Sequence, residues 1–178
     1  WNLIANALRG SMTTNVIGSR VAGMVGAAAA NHFLPVELYI NGNYRGSYTL
    51  TEKVGMGNNS IDLPDETNAV LLELDTYYDE TYKFKTTRYS IPVNVKYPDF
   101  SSDETNLTLS SISKHFNTLT NALQRMRPIE ETADPVYLAR FLMVNDLVFN
   151  LELYHPKSLY VYHENILSDT ARYVFGPV

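Results

Sequence analysis

The sequence predicts an α+β fold, and three stretches carry the prediction. The first runs from Val36 to Lys53. Val36, Leu38 and Ile40 alternate with Glu37 and Tyr39, which is strand periodicity. Asn41-Gly42 follows, a pair that tolerates the positive φ of a type I′ hairpin turn. The second is a group of alternating segments at Val70–Asp75, Tyr82–Thr86 and Ile91–Tyr97. The third is the passage after residue 103, where the apolar period lengthens from two to that of a helix.

Each element has its own signal. Trp1 to Ala5 reads as the end of a strand. Ser11 to Gly26 reads as a helix with Ser11 as its cap, Gly26 as its stop, and an apolar stripe of Val16, Ile17, Val21, Met24 and Val25. Arg20 reads as a solvated charge on that helix. In the return strand of the hairpin, Tyr48, Leu50 and Glu52 share one face, while Ser47, Thr49, Thr51 and Lys53 share the other. Val36, Leu38, Ile40, Tyr48 and Leu50 are therefore expected to pack together against the Ser11–Gly26 helix. Gly55–Ser60 reads as an ordinary loop, because its glycines lack the Lys-Ser/Thr of a phosphate-binding loop. Glu73 and Asp75 share one strand face, either solvated or able to hold a divalent cation through oxygen. Pro92 places its strand at an edge or a bulge.

Residues 103–126 form a helix with the stripe Ile112, Phe116, Leu119, Leu123 and Met126, beside which His115 is at the surface or half-buried. Asp134-Pro135 starts the next helix, with Asp as cap and Pro first. It ends near Phe149 or Asn150 and is apolar enough to be the buried central helix. Pro156 stops any continuation, and Ser158–Tyr162 and Arg172–Phe175 read as a hairpin.

Composition excludes several classes. The 178 residues make room for one domain with a real core. Hydrophobic residues at 45% and charged ones at 19% are ordinary for a globular chain. A net charge of −5 argues against nucleic-acid binding. No run approaches the roughly 20 apolar residues of a membrane span. There are no cysteines, so disulfides, thiolate metal sites and Cys nucleophiles are excluded. The four histidines are scattered, and neither a nucleophile elbow nor His-Glu-x-x-His occurs. Trp1 rather than Met opens the chain, as expected of a piece that begins inside a domain or has lost a leader.

Candidate chemistry concentrates where the Asp134 helix ends. Asp146 and Asn150, at i and i+4, are expected to share a helix face, and Glu152 and His155 follow in one short loop. An Asp on an apolar helix needs a partner. Read from the residues alone, Asp146 can equally be a structural hydrogen-bond group and the rest a loop.

A resemblance adds to this reading. Leu38-Tyr39-Ile40-Asn41-Gly42-Asn43-Tyr44-Arg45-Gly46-Ser47-Tyr48, then Thr51-Glu52-Lys53-Val54, Leu71-Leu72-Glu73-Leu74-Asp75, Val95-Lys96-Tyr97-Pro98, Asn145-Asp146-Leu147 with Asn150, and Phe175-Gly176-Pro177-Val178 occur in this order. Together they resemble the CotH family, spore-coat-type atypical protein kinases, and the members of Bacteroides type in particular. The resemblance implies a two-lobed, secretory-kinase-like fold, incomplete at both ends. Residues 1–53 would be the remainder of the small lobe, and residues 54–178 the large lobe with an inserted sheet.

It also implies ATP and Mg²⁺ as cofactors, Ser/Thr of a protein as acceptor, and export to the cell surface or beyond. Glu52, Lys53 and Val54 fall where the hinge would meet adenine, mainly through backbone groups. Glu152 stands where the family has a catalytic Asp, and Asn150 beside it would orient a metal or the loop; Asp146 is the next candidate. The family's Arg-Asn is Thr14-Asn15 here. Its phosphate-binding Lys is expected before Trp1 and its metal-binding Asp after Val178, so the isolated chain is expected not to phosphorylate. An active kinase, a CotH-fold pseudokinase, and a surface adhesion or carbohydrate-binding module using the 13 tyrosines remain as the three functional readings.

Overall fold

A computed structural model describes residues 1–6, 12–102 and 105–177. The strands are β1 (Asn2–Ala5), β2 (Phe33–Ile40), β3 (Asn43–Thr51), β4 (Val70–Leu74), β5 (Lys83–Lys85), β6 (Pro92–Tyr97), β7 (Leu159–His163) and β8 (Val174–Phe175). The helices are α1 (Thr14–Val25), α2 (Leu109–Gln124) and α3 (Pro135–Leu147), with short 3₁₀ turns at Ile129–Glu131 and Leu151–Leu153. Two antiparallel sheets result, one of order β1-β3-β2 and one of order β5-β6-β4-β7-β8. The expected α+β class is what the chain adopts.

The first hairpin forms where its turn residues put it. Asn41 and Gly42 take φ of 51° and 78°, the positive pair a type I′ turn requires. Val36 then faces Tyr48 and Leu34 faces Leu50. The expected burial of this sheet is reversed, however. Thr49 and Thr51 are buried, Val36, Leu38, Tyr48 and Leu50 are only partly covered, and Ile40 is exposed. Hydrogen bonding explains the reversal. Thr49 Oγ1 donates to Asn6 Oδ1 at 3.0 Å, and Thr51 Oγ1 donates to the His32 carbonyl at 2.8 Å. Asn15 of α1 donates to the same Asn6 oxygen at 3.1 Å. The covered face is thus held by a polar network, which satisfies the groups it buries.

α1 starts at Thr14, with Thr13 at its cap making no side-chain bond; Ser11, the expected cap, lies outside the described residues. Gly26 ends the helix as expected, at φ 65° with its N–H on the Ala22 and Gly23 carbonyls. The expected stripe holds only in part: Val21 and Val25 pack against the cluster of Ala22, Ala27 and Val144. Gly18 and Ala22 are the buried positions, whereas Ile17 is exposed and Met24 is 85% exposed. Small residues face inward because α1 lies close against α3, with a lesser contact on β2 of the hairpin. A methyl at Gly18 would sit 3.5 Å from Val148 Cγ1, and Arg140 Nη1 donates to the Gly26 carbonyl at 2.8 Å. These two contacts set the helices antiparallel.

The main core lies between the larger sheet and α2. Val70, Leu72, Leu74, Phe84, Val93, Val95 and Val161 meet Ile112, Phe116 and Leu119. Thr108 and Ser111 form a reciprocal capping box that starts α2. Leu123 and Met126, expected on the stripe, are exposed where the helix runs out. Residues 103 and 104, included in the expected helix, lie outside the described residues. Pro92 heads an interior strand rather than an edge, and the strand carries the expected bulge: Leu71 pairs with Tyr97 and Leu72 with Val95, which leaves Lys96 as the extra residue. β4 is buried along its whole length. Glu73 and Asp75 are therefore not a solvated face.

α3 is capped by Asp134, whose Oδ1 accepts from Val136 N at 2.9 Å and Tyr137 N at 3.0 Å. It is not the buried central helix. Phe141, Val144 and Asn145 face inward, while Val136, Leu142, Met143 and Leu147 are exposed. The second hairpin, β7 with β8, forms as expected, with Val161 opposite Phe175.

The last strand ends on a close contact. Gly176 has φ 150°, and a Cβ there would meet the Ala28 carbonyl oxygen at 2.7 Å. Gly176→Ala is expected to destabilise the chain by about 2 kcal/mol or more, through strain and backbone displacement. The check is thermal unfolding, where the midpoint should fall by roughly 6 °C; an unchanged midpoint contradicts the contact.

Candidate functional site

A cleft of about 460 Å³ is lined by Trp1, residues 52–60 and Lys96, a volume within the range of small-molecule sites. Glu52, Lys53 and Val54 all line it, together with the Gly55–Ser60 loop expected to be ordinary. The loop is folded back on itself: Gly57 N–H bonds the Ile61 carbonyl at 2.8 Å and Ile61 N–H the Gly55 carbonyl at 3.1 Å. Gly57 takes φ 110° with nothing near the position of a side chain. Asn31 staples this loop to the end of β3. Its Nδ2 donates to the Glu52 carbonyl at 3.2 Å, and its Oδ1 accepts from Ser60 Oγ at 3.3 Å. The Glu52 backbone oxygen is thus already engaged, which alters the expectation of mainly backbone contact there.

Glu52 is partly buried. Its Oε1 pairs with His32 Nδ1 at 2.9 Å, and its Oε2 has no hydrogen-bond partner among the described residues. Lys96 enters the cleft from β6. It bridges Glu73 at 3.6 Å and Glu80 in closer contact. Burial works against its ammonium, but the hydrogen bonds and charges of Glu80 and Glu73 more than offset that and hold its pKa above the ordinary lysine value.

Glu73 also accepts from the Tyr160 hydroxyl at 2.8 Å; burial first, then this bond, pushes the Tyr160 pKa up. Asp75 accepts from Tyr77 N at 2.7 Å and Ser158 N at 3.0 Å. Both carboxylates are consumed by structural bonds, so the cation-binding alternative finds no support. Among the described residues no group of three or more His, Asp or Glu side chains could hold a metal ion.

The loop after α3 departs from the expected helix face. The helix ends at Leu147, and Phe149 takes φ 52°, which turns Asn150 away from Asp146. Asp146 is exposed. The organising residue is instead Asn145, 4% exposed. Asn145 Nδ2 donates to the Phe141 carbonyl at 2.8 Å, and Asn145 Oδ1 accepts from Asn150 Nδ2 at 2.8 Å. Asn150 Oδ1 accepts from Glu152 N at 3.1 Å and so caps the 3₁₀ turn. Asn150 positions the loop through both of its side-chain polar atoms.

Glu152 is partly exposed at the loop's surface. Lys157 lies within its electrostatic reach. A hydrogen bond to Tyr77 first, and the Tyr77, Glu152 and Asp75 charges after it, raise the Lys157 pKa. Lys157 Nζ also stands 4.9 Å from the centre of the Tyr77 ring. The Thr76 N–H to Pro156 carbonyl bond at 2.9 Å fixes this loop to the end of β4.

Sequence reasoning missed Asn31, Asn145 and the cleft position of Lys96. Lys96 and Asn145 stood inside the Val95–Pro98 and Asn145–Leu147 blocks that carried the resemblance, which was their one available signal. Asn31 acts through tertiary contacts that leave no periodic trace.

A second cavity of about 180 Å³ lies away from these groups, lined in part by His115, His163 and Arg172. His115 is half-buried, with Nδ1 2.8 Å from the Tyr173 hydroxyl. His163 is 1% exposed, and its Nδ1 accepts from Asn165 N at 3.2 Å. Burial, with some repulsion from His115, depresses the His163 pKa to about 4. No helix of the described residues is long and apolar enough to cross a membrane.

Two measurements check these assignments. An unfolded histidine titrates near 6.5, so the unfolded state binds more protons than the native state below that pH. His163 stability is therefore present above about pH 6.5 and lost as pH falls toward 4. Urea unfolding should show a loss of about 2 kcal/mol between pH 6.5 and 5 from this group; a flat profile contradicts the buried neutral imidazole. Asn145→Ala should cost about 1–3 kcal/mol by leaving the Asn150 side-chain amide without its acceptor, and hydrogen exchange should quicken at Asn150 and Glu152. Unchanged exchange there would contradict the bracket.

A family profile described as CotH kinase protein matches residues 1–177. No curated protein and no solved structure matches the chain. With essentially its whole length covered by that profile, the chain belongs to the CotH kinase protein family.

Proposed function

We propose that this chain carries the nucleotide cleft and the acceptor-side carboxylate of a CotH-type kinase, which transfers phosphate from ATP to Ser/Thr hydroxyls of secreted or surface proteins. The observation that carries the reading is the coupling of two regions through β4. Glu73 holds Lys96 at the cleft, and Asp75, two residues on, holds Ser158 of the loop that follows Glu152. Two residues along a strand span about 7 Å, so cleft and loop hang from neighbouring points of one buried strand. In the two-lobed reading, residues 1–53 are small-lobe remainder and residues 54–178 the large lobe. The hinge then runs through Glu52–Val54.

In this reading the Gly55–Ser60 loop and Lys96 bound the nucleotide, and Lys53 adds a second positive charge at the rim. When bound, Mg²⁺ supplies charge neutralisation of the phosphates; the described residues give it no ligand set, and no role is assigned to them toward it. Glu152 accepts the proton of the substrate hydroxyl, and Asn150 fixes Glu152 by holding its backbone N–H. A pseudokinase is favoured by one observation: Glu152 replaces the family's Asp, a change of one methylene where shifts of about 1 Å matter.

Glu152→Gln in the full-length polypeptide decides between the two. It keeps size and removes charge, so phosphate transfer should fall at least about a hundredfold while ATP affinity changes little. Equal transfer by wild type and variant would remove Glu152 from the chemistry; no transfer by either favours the pseudokinase.

A further inference from the structure

We infer that the Glu52 side chain reads a hydrogen-bond donor on the nucleoside part of the ligand, and so makes the cleft selective among nucleotides. The inference rests on the nucleotide reading above. Its starting point is the unpartnered oxygen. Glu52 lines the cleft, its side chain is 11% exposed, and Oε2 is shielded from water without any donor among the described residues. A carboxylate oxygen in that state is destabilising, and a turn of the carboxylate that presents an oxygen to a ligand N–H or O–H removes the cost. The second observation concerns the backbone. The Glu52 carbonyl, the acceptor a hinge would offer at this position, already takes a hydrogen bond from Asn31. The side chain adds a charged acceptor beside that engaged carbonyl at this end of the cleft.

The other carboxylate oxygen does not oppose this role. Its partner, His32, is 93% exposed on its side chain, so the pair restrains Glu52 weakly. Rotation about the last bond of a glutamate is soft, and it can turn either oxygen toward a ligand. The cleft also distinguishes acceptors from donors. A base with a carbonyl where adenine has its amino group would set two acceptor oxygens face to face. Lys96, one of the two lysines lining the cleft, is already held by Glu73 and Glu80. The donor is either the amino group of adenine or a ribose hydroxyl; both chemistries meet the same requirement.

Calorimetric titration of the chain with ADP, inosine diphosphate and 2′-deoxyadenosine diphosphate tests the assignment. Wild type should bind ADP at least about tenfold more tightly than one of the other two, the scale of one hydrogen bond to a charged group. A gap against inosine diphosphate identifies the amino group, and a gap against the deoxy compound the ribose. Glu52→Gln, whose amide can donate as well as accept, should narrow that gap to within about twofold. Glu52→Asp, which draws the charge back by a methylene, should weaken ADP in the same way if the Gln variant is poorly folded. His32→Ala should leave the preference intact. If ADP binds but neither Glu52 variant alters the preference, the side-chain assignment is overturned while the nucleotide cleft stands. If wild type binds none of the three, the nucleotide reading falls and takes the assignment with it.

Discussion

Two buried carboxylates on one strand set the arrangement around them. β4 is covered on both faces, yet it carries Glu73 and leads into Asp75, 8% and 5% exposed. Left unpaired, either charge would cost several kcal/mol. The chain meets that demand by bringing Tyr160 from β7 and Lys96 from β6 to Glu73, and the backbone of Tyr77 and Ser158 to Asp75. The apolar face of the same sheet needs only α2 to cover it. The polar face dictates where the loops go. Lys96 is drawn to the 52–60 cleft, and the segment after Glu152 is drawn to the end of β4.

The sequence was most legible where local chemistry decides the outcome. Asn41-Gly42 can take the positive φ pair that few other residues tolerate, and the hairpin followed. Asp134-Pro135 capped α3, and Gly26 ended α1. The alternation at residues 70–75 identified a strand. What periodicity could not supply was the direction each face points. Thr49 and Thr51 turn inward because Asn6 and His32 meet their hydroxyls, contacts made across long stretches of chain. Ile17 and Met24 turn outward because Gly18 and Ala22 allow α1 to approach α3. A hydrophobic stripe assumes that the larger side chain is buried, and at a close helix contact the smaller one is.

The candidate site divides the same way. Glu52, Lys53 and Val54 were identified through the family resemblance, and they line one cleft with the Gly55–Ser60 loop. Asp146 and Asn150 were joined by helical spacing, and that spacing fails because the helix ends three residues earlier than Asn150. The polypeptide then turns at Phe149, so Asn150 bonds to Asn145 instead. Amide brackets of this kind, like the Asn31 staple, depend on where a chain reverses, and asparagine at an isolated position gives no notice of it. The family profile covers residues 1–177 and supports a kinase-like protein; the roles of individual residues are proposals that join the resemblance to the geometry.

The central claim is that residues 52–60 and Lys96 form a nucleotide site. Backbone amide NMR spectra recorded during titration with ADP test it most directly, because each residue reports separately. The account predicts saturable shifts concentrated at Glu52 to Ser60 and at Lys96, with smaller ones at Glu73 and Ser158 through the shared strand. Shifts concentrated at His115, His163 and Arg172, or no saturable shifts at any residue, would contradict it.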